Sequence, residues 1–146
     1  MTKREIGENL FKEGYNCAQS VAAAFAADIN MSQEDVLKIS APFGGGFGRL
    51  REVCGAVSGM MIVLGKLEGN SEADDQKKKE IYEKAQFLIN KFKEENGSFI
   101  CRELLNLDHK SDEPTPEKRT ETYYKKRPCV EIVGIACDIL EEYLGL

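Results

Sequence analysis

The chain has 146 residues, 42% hydrophobic and 31% charged, a balance that suits one folded domain over 1–146 and excludes a disordered chain. Lys and Arg total 20 against 25 Asp and Glu, a net charge of −5, which argues against a generic nucleic-acid or anionic-membrane binder. There is one histidine, His109, so a His-rich metal site is excluded within one chain, and any Ser-His-Asp triad would have to use it.

No apolar run approaches the ~18 residues of a spanning helix. Met60 to Leu64 is the longest near the middle. Met1 to Phe11 is charged and amphipathic, without the apolar core of a signal peptide. A cytoplasmic, reducing location is the expectation. Five cysteines in that setting point to metal or redox chemistry more than to structural disulfides.

Helix signals run through the chain. Thr2 caps a first helix, Lys3 to Glu13, ended by Gly14. Asn16 caps an alanine-rich helix, Cys17 to Ala27, whose low charge predicts a central position. Ser32-Gln33-Glu34-Asp35 has capping-box form and opens a short helix that Pro42 ends. Phe43 to Gly48 is Gly-rich and predicts a loop. A helix from near Arg51 to Leu64 follows, apolar nearly all round and therefore buried.

Ser71 caps a long amphipathic helix, Glu72 to Glu95, with Ile81, Ala85, Leu88, Ile89 and Phe92 on one stripe. Asn96-Gly97 stops it, and Ser98 caps a short helix through Leu105. After a polar loop, Pro116 is placed to open another helix and Pro128 a last one, Cys129 to Leu144. No segment alternates like a strand. The expectation is an all-α, single-domain bundle of about six to eight helices, with the Gly-rich loop before a buried central helix.

Cys17, Cys54, Cys101 and Cys129 each fall in or near the first turn of a predicted helix. Unpaired N–H groups and the positive end of the macrodipole favour an anion there. A thiol so placed loses its proton more readily, and the thiolate is both nucleophile and metal ligand. Convergence of the four starts would make a tetrathiolate site. A plainer reading is that these are buried, inert core residues, and their spacings match no short zinc signature. Cys137 lies eight residues after Cys129. In one helix that is about 12 Å along the axis and about 80° around it, too far for a disulfide. It reads as a small apolar core residue.

Gly44, Gly45 and Gly46 are placed to wrap a cluster or anion with backbone N–H groups, or simply to make a tight turn. Gly55, with Gly59 one turn on, lets a bulky group or a second helix approach. Arg49 and Arg51 read as solvated or paired with acids, with offsetting thiolate charge or receiving an anionic substrate as the functional alternatives. His109, in a polar loop, reads as a surface residue, with an accessory ligand role as the alternative. Lys118 to Arg127 is basic, with Tyr123 and Tyr124 inside it, and reads as a solvated helix rather than a contact for nucleic acid or an acidic redox partner.

Three stretches together carry a resemblance. They are Gly14-Tyr15-Asn16-Cys17-Ala18-Gln19-Ser20-Val21, then Phe43 to Arg49 with Val53-Cys54-Gly55-Ala56-Val57-Ser58-Gly59, and finally Gly97 to Leu105 with Cys129-Val130-Glu131-Ile132-Val133. From about residue 5 to 144 the chain resembles the C_GCAxxG_C_C family of small redox-active bacterial proteins. The family's four cysteines correspond to Cys17, Cys54, Cys101 and Cys129, leaving Cys137 outside. The resemblance implies a redox or metal role. Related cysteine sets occur beside haem modules in split-Soret-type cytochromes, but no C-x-x-C-H motif is present here for covalent haem attachment.

The function expected is therefore redox activity at a four-cysteine site. Its form is either an iron–sulfur cluster or another thiolate-bound metal, or a reversible dithiol with no cofactor. A redox partner protein is implied, and a homo-oligomer is compatible with a small helical chain. The alternatives are a helical binding or scaffold module with core cysteines, and a cysteine-nucleophile enzyme that uses His109 as base.

Overall fold

The computed structural model describes all 146 residues and is all-α, with eight helices and no strands. Helix α1, Lys3–Lys12, starts where the Thr2 hydroxyl accepts the Glu5 N–H. It buries Gly7, Leu10 and Phe11, and ends before Gly14, whose φ is +114°. Helix α2, Cys17–Ala24, opens with a full capping box. The Asn16 side chain accepts the Gln19 N–H at 2.9 Å, and Gln19 Oε1 accepts the Asn16 N–H at 3.0 Å. It stops short of the expected Ala27 because turns from Phe25 to left-handed Asn30 redirect the chain into α3, Gln33–Ser40.

Between α3 and the next helix, Ala41–Phe43 forms a 3₁₀ turn and Gly44–Phe47 a glycine turn. Gly45, Gly46, Phe47, Gly48, Arg49 and Arg51 all have positive φ. That backbone delays α4, Gly55–Glu68, beyond the Arg51 start expected from the sequence, and makes Cys54 its N-cap. The long helix α5, Asp75–Asn96, is capped by Asp74 rather than Ser71 and ends at left-handed Gly97.

Helix α6 is short, Cys101–Leu104, and begins after Ile100. Ser98, expected as its cap, instead accepts the Ile100 N–H and donates to Glu103. Helix α7, Glu121–Lys126, is capped by Thr120, so Pro116 lies in the preceding irregular segment. Helix α8, Cys129–Leu144, follows Pro128, which occupies the N-cap.

Packing follows from the apolar faces. α1 lies against α8 and α2, while α2 also packs on α4, and α5 lies across α4 and α8. Phe11, Phe25, Met60, Leu88, Phe92, Val133 and Leu140 are among the fully buried side chains that unite these helices. Each such side chain contributes about 1.5–3 kcal/mol by leaving water. Cys137 is fully buried, and a Cβ at Gly7 of α1 would lie 2.7 Å from its sulfur. It fills a gap between α1 and α8, as the helical geometry led one to expect.

α2 and α4 pack backbone to backbone. A Cβ at Gly59 would sit 2.8 Å from the Ala18 carbonyl and 2.9 Å from Val21 Cβ. A Cβ at Gly65, in the same helix, would meet nothing within 4 Å. Gly59→Ala is therefore expected to destabilise by about 1–3 kcal/mol through overpacking. Gly65→Ala should instead stabilise by about 0.5–1 kcal/mol through helix propensity. Urea denaturation of both variants checks the opposite signs.

Candidate functional site

Four helix starts deliver the cysteines. Cys17, Cys101 and Cys129 are the first residues of α2, α6 and α8, and Cys54 is the N-cap of α4. Two of these positions follow from a local stop: Asn16 caps before Cys17, and Pro128 precedes Cys129.

Cys54 and Cys101 are also tied through the backbone. An isolated antiparallel bridge pairs Val53 with Ile100. Beside it, the Cys54 N–H donates to Phe99 O at 2.9 Å and the Cys101 N–H to Glu52 O at 2.6 Å. The chain ahead of α4 is thereby fastened to the chain ahead of α6, though 47 residues separate the two cysteines.

All four cysteines line one cavity of about 80 Å³, together with Arg51, Arg119 and Tyr123. Cys54, Cys101 and Cys129 are buried and Cys17 is half-buried. All are free thiols. Gly45 and Gly55 also line this cavity. Gly55 stands where a Cβ would be 3.1 Å from the Ala18 N and 3.2 Å from Cys17 Cβ. Gly44 and Gly46 are held by packing: a Cβ at Gly44 would overlap the Asn16 side chain, and one at Gly46 would lie 2.6 Å from the Glu52 N.

Within the cavity, Cys17 and Cys129 are neighbouring thiols that act on each other's charge. Cys17 pulls Cys129 below the ordinary thiol range; burial opposes it, and the charges of Arg127, Arg119 and Arg51 assist. Cys129 in turn, followed by burial, holds Cys17 well above that range. The pair is therefore unequal: Cys129 gives up its proton more readily than Cys17. Burial pushes Cys54 up to about 12, partly offset by the N–H groups of Ala56 and Val57. Burial also raises Cys101, against the pull of Arg51, whose Nη1 donates to Cys101 Sγ at 3.7 Å.

Arg51 is 7% exposed, bonded to Asp112 at 2.8 Å, and faces the cysteines. Arg49 reaches the same Asp112 at 3.7 Å and donates to Thr115 O. His109 sits outside the cavity lining, between Asp108 and Asp112 at 3.0 and 2.9 Å.

Residues 118–127, expected to form a solvated helix, contribute more than that. Arg119 donates to the carbonyls of Phe11 and Tyr15 and stacks 3.9 Å over the Phe11 ring. Tyr123 lines the cavity, and burial raises its phenol. Arg127 pairs with Glu117 at 2.9 Å and acts on the Cys129 charge. The tyrosines interleaved in the basic run were the one local sign of this role, since a fully solvated face needs no aromatic rings.

A family model described as "Putative redox-active protein (C_GCAxxG_C_C)" matches residues 15–143. The chain belongs to this family. No curated protein and no solved structure matches it. The matched region contains all four of these cysteines and both arginine-bearing segments around them. No helix is long and apolar enough to cross a membrane.

As placed, no three His, Cys, Asp or Glu side chains are arranged to hold a metal ion. The four sulfurs are of the right kind for a soft metal. The division between Cys129 and Cys17 has a direct readout. Cys129 should react with iodoacetamide from a lower pH than an ordinary thiol of pKa about 8.5. Cys17→Ala removes the neighbouring thiol that favours the charged form of Cys129 and should move that midpoint upward. Mass-spectrometric alkylation profiles against pH measure both.

Proposed function

We propose that this protein is a thiol–disulfide redox protein whose exchanging pair is Cys17 and Cys129. The shared cavity carries the reading, together with the opposite displacement of the two thiols, Cys129 downward and Cys17 upward. Cys129 stands at the first position of a 16-residue helix, where the dipole adds to the arginine charges in favouring a thiolate. Cys17 is the resolving thiol, kept protonated until it is needed.

The chemistry is two-electron exchange. The Cys129 thiolate attacks an oxidised partner's disulfide, forming a mixed disulfide and releasing one partner thiolate. Cys17 then gives up its proton and attacks the Cys129 sulfur. The Cys17–Cys129 bond forms, the mixed bond breaks, and the second partner thiol leaves. The pair loses two electrons and the partner gains them. A redox protein in the cytoplasm is the setting this reading assumes, with a partner that resets the pair by the reverse exchange.

A second reading has its own support. Four thiols line one cavity, and four thiolates are the donor set of an iron–sulfur cluster or a zinc-type site. Cys17, Cys54, Cys101 and Cys129 would hold the group. It would supply electron transfer or local charge, with Gly45 and Gly55 leaving it room. The side chains would have to turn from their present placement for three or more to share one ion.

Titration in glutathione redox buffers, followed by peptide mapping, decides between the readings. The expected result is one disulfide, Cys17–Cys129, formed reversibly by the metal-free protein. Cys129→Ser should abolish it and Cys54→Ser should leave it in place. Visible thiolate-to-metal absorption after anaerobic iron and sulfide loading, lost in Cys54→Ser, with no Cys17–Cys129 disulfide in the metal-free protein, would overturn the dithiol reading in favour of the cluster.

A further inference from the structure

Beside the cysteine cavity lies a second, larger and more open one of about 300 Å³. Cys129 lines both, whereas Cys17 lines only the inner one. Four arginines line the outer cavity: Arg49, Arg51, Arg119 and Arg127. In a chain of net charge −5 this is a local reversal of sign.

The arginines are not neutralised by their neighbours. Four guanidiniums share two carboxylates, Asp112 with Arg51 and Arg49, and Glu117 with Arg127. Glu117 is further shared with Lys126 at 3.4 Å. Arg119 has no carboxylate partner and is held by two backbone carbonyls and the Phe11 and Tyr123 rings. Arg49 Nε is buried and has no hydrogen-bond partner at all.

This geometry is costly without a ligand. A buried guanidinium N–H left unpaired forfeits its hydration. The backbone that aims Arg49 and Arg51 is also unusual, with left-handed φ at 71° and 60° in non-glycine residues. Such outliers cluster where a site over-determines the chain. Planar guanidinium forks match carboxylates in bidentate fashion, which a lysine would not.

We propose that the arginine-lined cavity binds a small disulfide carrying carboxylate groups and presents its sulfur to Cys129. The proposal rests on the thiol–disulfide reading above and names the substrate class of that site. Arg49 and Arg119 hold the carboxylates, and the Cys129 thiolate attacks the nearer sulfur. The substrate S–S bond breaks and one carboxylate-bearing thiolate leaves. Cys17 loses its proton, closes the Cys17–Cys129 bond and expels the second thiolate. The two thiols of the pair are oxidised and the substrate disulfide is reduced to two thiols. The reverse exchange oxidises a carboxylate-bearing thiol.

The test compares three disulfides of similar size and different charge on the reduced protein: dithiodipropionate, a dianion; hydroxyethyl disulfide, neutral; and cystamine, a dication. At low salt the dianion should oxidise the pair at least about tenfold faster than the neutral compound, and cystamine slowest, as expected for a steered, focused charge. The advantage should shrink as salt is raised. Arg49→Gln should reduce the dianion rate more than the neutral rate. Equal rates for the three compounds in the wild-type protein, or a preference untouched in a folded Arg49→Gln variant, would overturn the proposal.

Calorimetry of dithiodipropionate with the Cys129→Ser variant, which cannot exchange, separates the two readings. Binding there, with no oxidation of the wild-type pair by any of the three disulfides, would uphold the anion site and end the dithiol reading. Oxidation at equal rates with no calorimetric binding would do the reverse.

Discussion

The close approach of α4 to α2 is the constraint on which the site depends. Gly55 and Gly59 bring the two helices to a separation at which a single methyl group would meet the Ala18 backbone. Because Cys17 begins one of these helices and Cys54 caps the other, the same approach that builds the core also brings two cysteines together. Packing against α1 then fixes α8, whose first residue is Cys129. The one-rung bridge between Val53 and Ile100 brings in Cys101. The cavity is thus a by-product of core geometry at one end of the bundle, and a helix start is the place where such a by-product gains electrostatic value.

The elements most readable in the sequence were those with local punctuation. Thr2, Asn16 and Ser32 each cap the helix expected of them, and Cys129–Leu144 begins directly after Pro128. The start of α4 was not readable in this way. Residues 49 to 54 have apolar and charged side chains compatible with a helix, yet Arg49 and Arg51 take left-handed φ. What holds them there is distant: Asp112 on a loop, the Thr115 carbonyl, and the bridge to Ile100. Non-local contacts of this kind override local propensity, and no period or cap in residues 49–54 records them.

The site divided along the same line. That Cys17 and Cys129 begin helices was legible from Asn16 and Pro128, while Cys54 and Cys101 were placed only near helix starts, by the glycine run and Ser98. Their unequal character was not legible. Cys17 and Cys129 are 112 residues apart in the chain, and only the fold sets one thiol against the other. Arg119, Tyr123 and Arg127 were hidden for a related reason. A basic run in an acidic protein is ordinarily a solvated face. Here Arg119 is drawn inward by the carbonyls of Phe11 and Tyr15, which lie more than a hundred residues earlier. They lie at the end of α1 and in the turn that leads into α2, so the arginine ties down that turn and charges the cavity at once.

The four thiols do not experience one environment, and this inequality is what gives the cavity direction. Cys54 and Cys101 are fixed by backbone bonds, and burial raises both thiols. Cys129 alone is lowered, because it alone has a neighbouring thiol that favours its charged form and three arginines near it. It is also the cysteine that lines the arginine cavity as well as the inner one. The lowered thiol and a place on both cavities thus coincide at one residue of the four, although Cys17 is the more exposed of the pair. Burying a thiolate costs free energy that only nearby donors and positive charge offset. The strained turn at Gly45 to Arg51 is the device that brings Arg51 to that position. Its left-handed residues cost on the order of 1–3 kcal/mol each where they are not glycine. The Arg51–Asp112 pair and the backbone bonds from Arg51 to Gly45 and from Glu52 to Gly46 hold it in place. Strain retained at this point, and relaxed wherever glycine occupies the turn, is what one expects of a backbone shaped around a charged sulfur rather than around the core alone.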